Sequence, residues 1–135
     1  MRVNCIATYP DDATLALLGP DFYERQGFAV TRGKEYLILG IFFASGDPFG
    51  RGPWIVFEDD TEGYGQAPLG MFEIIESAVS KYWQVELFEN GAVAIGPLSF
   101  NRPFYMEDFW ERVPEIVADF KKVRDSIAAE FEDKR

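Results

Sequence analysis

The stretch Lys34–Phe43, Lys-Glu-Tyr-Leu-Ile-Leu-Gly-Ile-Phe-Phe, constrains this chain more than any other. It is the most continuous apolar run in the sequence. A bilayer span needs about 20 apolar residues, so the run is too short to cross a membrane. It suits a strand buried on both faces. Gly40 interrupts it with a residue that has no side chain to pack, which predicts a bulge, a bend or the close approach of another backbone. A long strand that bends is what a curved sheet or a small barrel needs to turn a corner.

Further strands are expected at Trp54–Glu58, Met71–Glu76, Tyr82–Phe88 and Ala92–Gly96, with a weaker, edge-like strand at Arg2–Ala7. Asn90-Gly91 lies between two of these runs and predicts a tight hairpin with both turn residues at positive φ. The Gly- and Pro-rich stretches Ala44–Pro53 and Asp59–Pro68 read as loops. Near the N-terminus, Asp11 and Asp12 can cap a helix of one or two turns, which Gly19-Pro20 must end. From Met106 the apolar period changes from two to that of a helix. Met106, Phe109, Trp110 and Val113 share one face, and Ile116, Phe120, Val123, Ile127 and Phe131 continue the stripe. Pro114 is tolerated only in a first turn, which predicts a short helix over 105–112 and a longer one over 114–131. The fold class is therefore α+β in a single domain, 1–135. About five antiparallel strands form a meander, as a bent sheet or an SH3-like barrel, with short N-terminal helical turns and a C-terminal helix packed on it.

The residues that are missing exclude much chemistry. Histidine is absent and Cys5 is the only cysteine. That removes the commonest general base, the imidazole and thiolate ligands of zinc, and every Cys-His or Ser-His-Asp arrangement. The run Glu58-Asp59-Asp60-Thr61-Glu62-Gly63 lacks the spacing of a calcium loop, with Leu69 where the second acidic ligand would stand. Gly50-Arg51-Gly52 and Gly63-Tyr64-Gly65 lack the pattern of a phosphate cradle. The expectation is a chain with no enzymatic activity, metal or cofactor. A lone cysteine also forbids an intramolecular disulfide, and the N-terminus has no signal-like apolar segment, so a cytoplasmic location is expected. Cys5 itself reads as a small buried hydrophobe.

Charge is the feature left to interpret. The formal net charge is −10, and it is unevenly placed. Residues 58–100 carry eight carboxylates against Lys81 alone, while the flanking segments are nearly balanced. Such a field repels phosphate backbones and anionic headgroups, which argues against nucleic-acid and membrane partners and for a basic protein. The expected contact set is Glu58, Asp59, Asp60 and Glu62 for steering, with Phe49, Trp54 and Tyr64 as aromatic contacts. One concrete form is an immunity protein that blocks a basic, nuclease-type toxin. The alternative is a small-molecule-binding or structural domain whose acidity serves only solubility.

Overall fold

The computed structural model describes residues 1–19, 28–46 and 50–132. The long apolar run forms strand β2, Glu35–Ser45, following β1 (Arg2–Cys5) and helix α1 (Asp12–Leu18). After it come β3 (Arg51–Glu58), β4 (Tyr64–Pro68), β5 (Phe72–Glu76), β6 (Gln84–Leu87) and β7 (Val93–Gly96), then α2 (Tyr105–Trp110) and α3 (Pro114–Glu132). All strand pairs are antiparallel. The path runs β4-β3-β2-β1-β5, with β7 also paired to β2 and β6 paired to β7.

Gly40 does what a glycine in a buried strand predicts. The register of β2 against β3 shifts between Ile38 and Gly40. A Cβ on Gly40 would stand 3.5 Å from the Cα of Gly96, and one on Gly96 would stand 3.3 Å from the Cα of Gly40. The two backbones thus meet closely: a Cβ on Gly96 would be tight, whereas one on Gly40 would make ordinary van der Waals contact. The irregularity lets the two halves of β2 serve different neighbours. Glu35–Leu37 pair with β1, whereas Ile41–Phe43 pair with β7 and, on the opposite edge, with β3.

Three expectations need correcting. First, the described residues form seven strands and no simple meander, because β1 inserts between β2 and β5 instead of lying at an edge. Val3 is consequently fully buried. The sheet is bent and open, so the SH3-like alternative does not form: β4, β5 and β6 each pair on one side only among the described residues. Second, neither expected loop is all loop: Ala44–Ser45 ends β2, Arg51–Pro53 opens β3, and Asp59–Pro68 holds a strand of its own. The reversal takes only Asp59–Gly63, and Tyr64–Pro68 is a strand. Third, Asn90 does not take positive φ. Gly91 alone does, with its N–H bonded to Phe88 O and the N–H of Phe88 bonded to Ala92 O, the pattern of a type I turn closed by a glycine bulge. Asn90 contributes through its side chain, which accepts from the N–H of Ala92 at 3.0 Å.

Two apolar layers sandwich the sheet. One face gathers Val3, Cys5, Tyr36, Ile38, Ile55, Phe57, Met71 and Phe72. The other packs Leu39, Val56 and Tyr64 against Tyr105, Phe109, Ile116, Phe120, Ile127 and Phe131 of the C-terminal helices. The helical stripe held except at Trp110, which is 57% exposed. Pro114 opens α3 as its chemistry requires. Asp11 caps α1 by accepting from the Thr14 N–H at 2.8 Å. Glu130 clamps the segment before β6 to α3, accepting from Ser80 Oγ at 2.7 Å and from the Lys81 N–H at 2.8 Å. Among the described residues no helix is long and apolar enough to cross a membrane.

Candidate functional site

Carboxylates on the turn between β3 and β4 gather around one polar hollow, but they do not face it alone. Glu58, Asp59, Asp60 and Glu62 share that hollow with Arg2, Lys34 and Arg124. Arg124 pairs with Glu58. Asp60 accepts from Thr31 Oγ1 at 2.6 Å, Lys34 Nζ at 2.7 Å and the Tyr36 hydroxyl at 2.8 Å. Burial pushes the Asp60 carboxyl up, but the hydrogen bonds from Lys34, Thr31 and Tyr36 outweigh it and hold the group below the usual aspartate value. Asp59 folds its own turn. Its Oδ1 accepts from Thr61 Oγ1, from the Thr61 N–H and from the Gly63 N–H. Gly65 is a glycine inside a strand because Asp59 fills the space: a Cβ there would lie 2.8 Å from the Cβ of Asp59. Of the four acids, Glu62 is the one that stays exposed without an ion pair among the described residues.

The aromatic contact set is also redistributed. Trp54 is 5% exposed and Tyr64 is 7% exposed, so both are packing residues and not presented aromatics. Tyr64 sits among Phe100, Tyr105, Phe109 and Phe120 with ring centroids 5.6 to 6.3 Å away, and burial raises its phenol far above the ordinary value. Phe49 lies outside the described residues.

Two surfaces that the sequence did not single out are better placed for contact. The first is a groove of about 400 Å³ between the sheet and the 97–107 segment, lined by Phe42, Phe88, Phe100, Phe104 and Tyr105 among others. Phe104 stands at positive φ (63°) and is 73% exposed, an uncommon conformation for a bulky residue. Asn101 also lines the groove, and its Nδ2 is buried without a hydrogen-bond partner among the described residues. Asp119 fixes this wall by accepting from Ser99 Oγ at 2.7 Å and from the Tyr105 hydroxyl at 2.8 Å.

The second surface is the free side of β6. Val85 pairs across to Ile95, then Ile41, then Ile55, and this row runs from 67% exposed at Val85 to fully buried at Ile55. The next row joins Leu87, Val93 and Phe43, of which Leu87 is 76% exposed and Phe43 is 40% exposed. Both rows lie on the same face, since side chains two apart along a strand point the same way. Between them, on the opposite face, Glu86 is opposed by Ala94. One oxygen of Glu86, Oε2, is buried and has no hydrogen-bond partner among the described residues. No lysine or arginine occurs between Lys81 and Arg102.

Alternation in Tyr82–Phe88 was visible in the sequence, but not which face it would leave open. That depends on α2 and α3 covering only the other side. Among the described residues no three His, Cys, Asp or Glu side chains converge as a metal site would require. No protein-family model, no curated protein and no solved structure matches this chain.

Proposed function

We propose that this chain is a non-enzymatic binding module that engages a basic protein, with inhibition of a nuclease-type toxin as the concrete form. The observation that carries the reading is the solvent-facing pair Val85 and Leu87 on one face of β6, with Glu86 on its other face and Glu89 just beyond it, within a stretch devoid of cations, on a chain of net charge −10. Apolar contact area supplies affinity, and surrounding negative charge selects and steers a positive partner. The turn carboxylates have a smaller part in this reading than their number suggests, because Lys34 and Arg124 compensate Asp60 and Glu58 locally. Glu62 remains available for long-range steering. Asp60 is ill suited to act as a general acid, because its donors favour the ionised form.

The test is co-expression with the basic product of a neighbouring reading frame, followed by titration calorimetry at low and high salt. A one-to-one complex that weakens as salt rises, and that silences the partner's nuclease activity, is the expected result. A complex indifferent to salt, or no complex with any basic neighbour, refutes it.

The groove favours a second reading, in which an apolar small molecule lies against Phe42, Phe88 and Phe100. A volume of this size falls in the range of ligand pockets, and its lining is mostly apolar, a third of it aromatic, with Gln66, Asn101, Arg102 and Glu107 as polar groups. A fluorescent apolar probe such as an anilinonaphthalene sulfonate, displaced by a bulky substitution at Ala94, separates this reading from the first.

A further inference from the structure

β6 is one of three edges of this sheet among the described residues, with β4 and β5. Exposed edges are normally blunted by lysine, by proline or by covering structure. On β4, Pro68 ends the strand and the side chains of Tyr64 and Ala67 are buried. β5 carries Glu73 and Glu76 beside Ile74 and Ile75. Neither β5 nor β6 holds a lysine or a proline, but Val85 and Leu87 of β6 are 67% and 76% exposed against 46% and 48% for Ile74 and Ile75, and of these two strands only β6 has an acid with a buried, unpartnered oxygen among the described residues. The backbone groups on the other side of β6 have no strand partner among the described residues.

We propose that β6 is the docking edge, and that the basic partner adds an extended segment to it as a further strand. The proposal rests on the basic-partner reading above and specifies how that partner is held. Strand addition supplies main-chain hydrogen bonds for affinity and leaves specificity to alternate side chains. One set of the added segment's side chains packs on Val85 and Leu87, extending the two apolar rows by one strand. The other set falls on the face of Glu86, at the side where Phe88 and Phe42 line the groove. There a lysine or arginine pairs with the Glu86 carboxylate. Because one of its oxygens is sealed from water and unpartnered, that charge is poorly solvated, and a cation at the open oxygen gains more than at an exposed acid. The recognised pattern is therefore apolar–basic–apolar in an extended segment. A second copy of this chain is the less suitable occupant, since two bodies of charge −10 repel and would bring Glu86 and Glu89 toward their own likeness.

The experiment selects binders from a displayed library of random linear peptides on the immobilised full-length chain at low salt. Selected peptides are then measured against Val85→Lys, Leu87→Lys and Glu86→Lys, with Glu73→Lys and Ile74→Lys as controls of equal charge change elsewhere. All five positions are on the surface or half-buried, so the variants are checked for folding by circular dichroism before use. The expected outcome is enrichment of alternating apolar and Lys/Arg residues, a loss of about tenfold or more for each β6 variant, and a loss of about threefold or less for the controls. Hydrogen exchange of the β6 amides slows in the complex. Basic peptides whose binding survives all three β6 variants overturn docking at β6 and leave the basic-partner reading standing. Peptides without cations that still depend on Val85 and Leu87 overturn the basic partner. A chain that sediments as a dimer broken by Leu87→Lys assigns the face to a second copy and overturns the proposal, as does a library that yields no binder.

Discussion

Asp60→Ala isolates the internal use of one carboxylate, and its cost can be worked from the partners. Three groups donate to Asp60, but they differ in where they go when it is removed. The side chain of Lys34 is 52% exposed, and Thr31 is exposed as well, so both return to water and contribute little. The Tyr36 hydroxyl belongs to a residue only 4% exposed, and it already accepts from the Thr31 N–H at 2.8 Å. Stripped of its acceptor, this buried donor costs about 1–3 kcal/mol, so we expect a loss of about 2 kcal/mol. For a chain of this size that corresponds to a fall of about 8 °C in Tm. Urea unfolding followed by tryptophan fluorescence measures it. In a Tyr36→Phe background the orphaned donor no longer exists, so Asp60→Ala should cost under about 1 kcal/mol there, leaving a coupling of about 1–2 kcal/mol. The pH dependence has a definite sign. The folded pKa of Asp60 is below its unfolded value, so its charge-dependent contribution is whole above about pH 4 and disappears as pH falls further through the folded pKa. The gap between wild type and variant should narrow in acid by the charge-dependent part, since a protonated Asp60 still accepts from the Tyr36 hydroxyl. An equal loss in both backgrounds, or a loss under about 0.5 kcal/mol in the wild-type background, would refute the reasoning.

Other expectations follow from single contacts. Phe120→Ala removes a 1% exposed ring packed 4.9 Å from Phe109, and should cost about 3–5 kcal/mol in the same unfolding assay. Gly50→Ala should cost at least about 2 kcal/mol, because Gly50 has φ +72° and a Cβ there would run into the backbone of Leu18; Gly46→Ala, in open space, serves as its control. Cys5 is buried, and that burial pushes its thiol up, so a disulfide reagent should leave it untouched in the native chain and react with it fully in denaturant.

Periodicity carried the helices and most of the strands, because each of those segments buries one face and the pattern records it. Pro114 fixed the start of α3 by its own ring geometry. β4 escaped for a reason visible only in three dimensions. Its Tyr-Gly-Gln-Ala-Pro sequence is turn-like in composition, and Gly65 is required by the Asp59 side chain folded over it, a contact with no local signature. The insertion of β1 between β2 and β5 is likewise a pairing choice that alternation cannot express. Trp54 and Tyr64 were legible as strong aromatics but not as buried ones. The sequence shows that Tyr64 follows an acidic turn; it does not show that Phe100 and Phe120 close over it.

Asp60 and Glu86 together show why a count of charges is a poor map of a binding surface. Both are acids on strands or turns of the same sheet, and both are partly withdrawn from water. Asp60 is surrounded by three donors of its own chain, so an approaching cation would have to compete with Lys34 and would find the field already cancelled. Among the described residues Glu86 has a sealed oxygen and no donor to it, and its neighbours along the strand are Val85 and Leu87, which water does not solvate well. A cation arriving at Glu86 therefore improves an electrostatic situation that the fold has left incomplete, and it does so beside apolar area that can be buried in the same event. The position of uncompensated charge relative to exposed apolar surface, and not the density of acids along the chain, decides where a basic partner gains most.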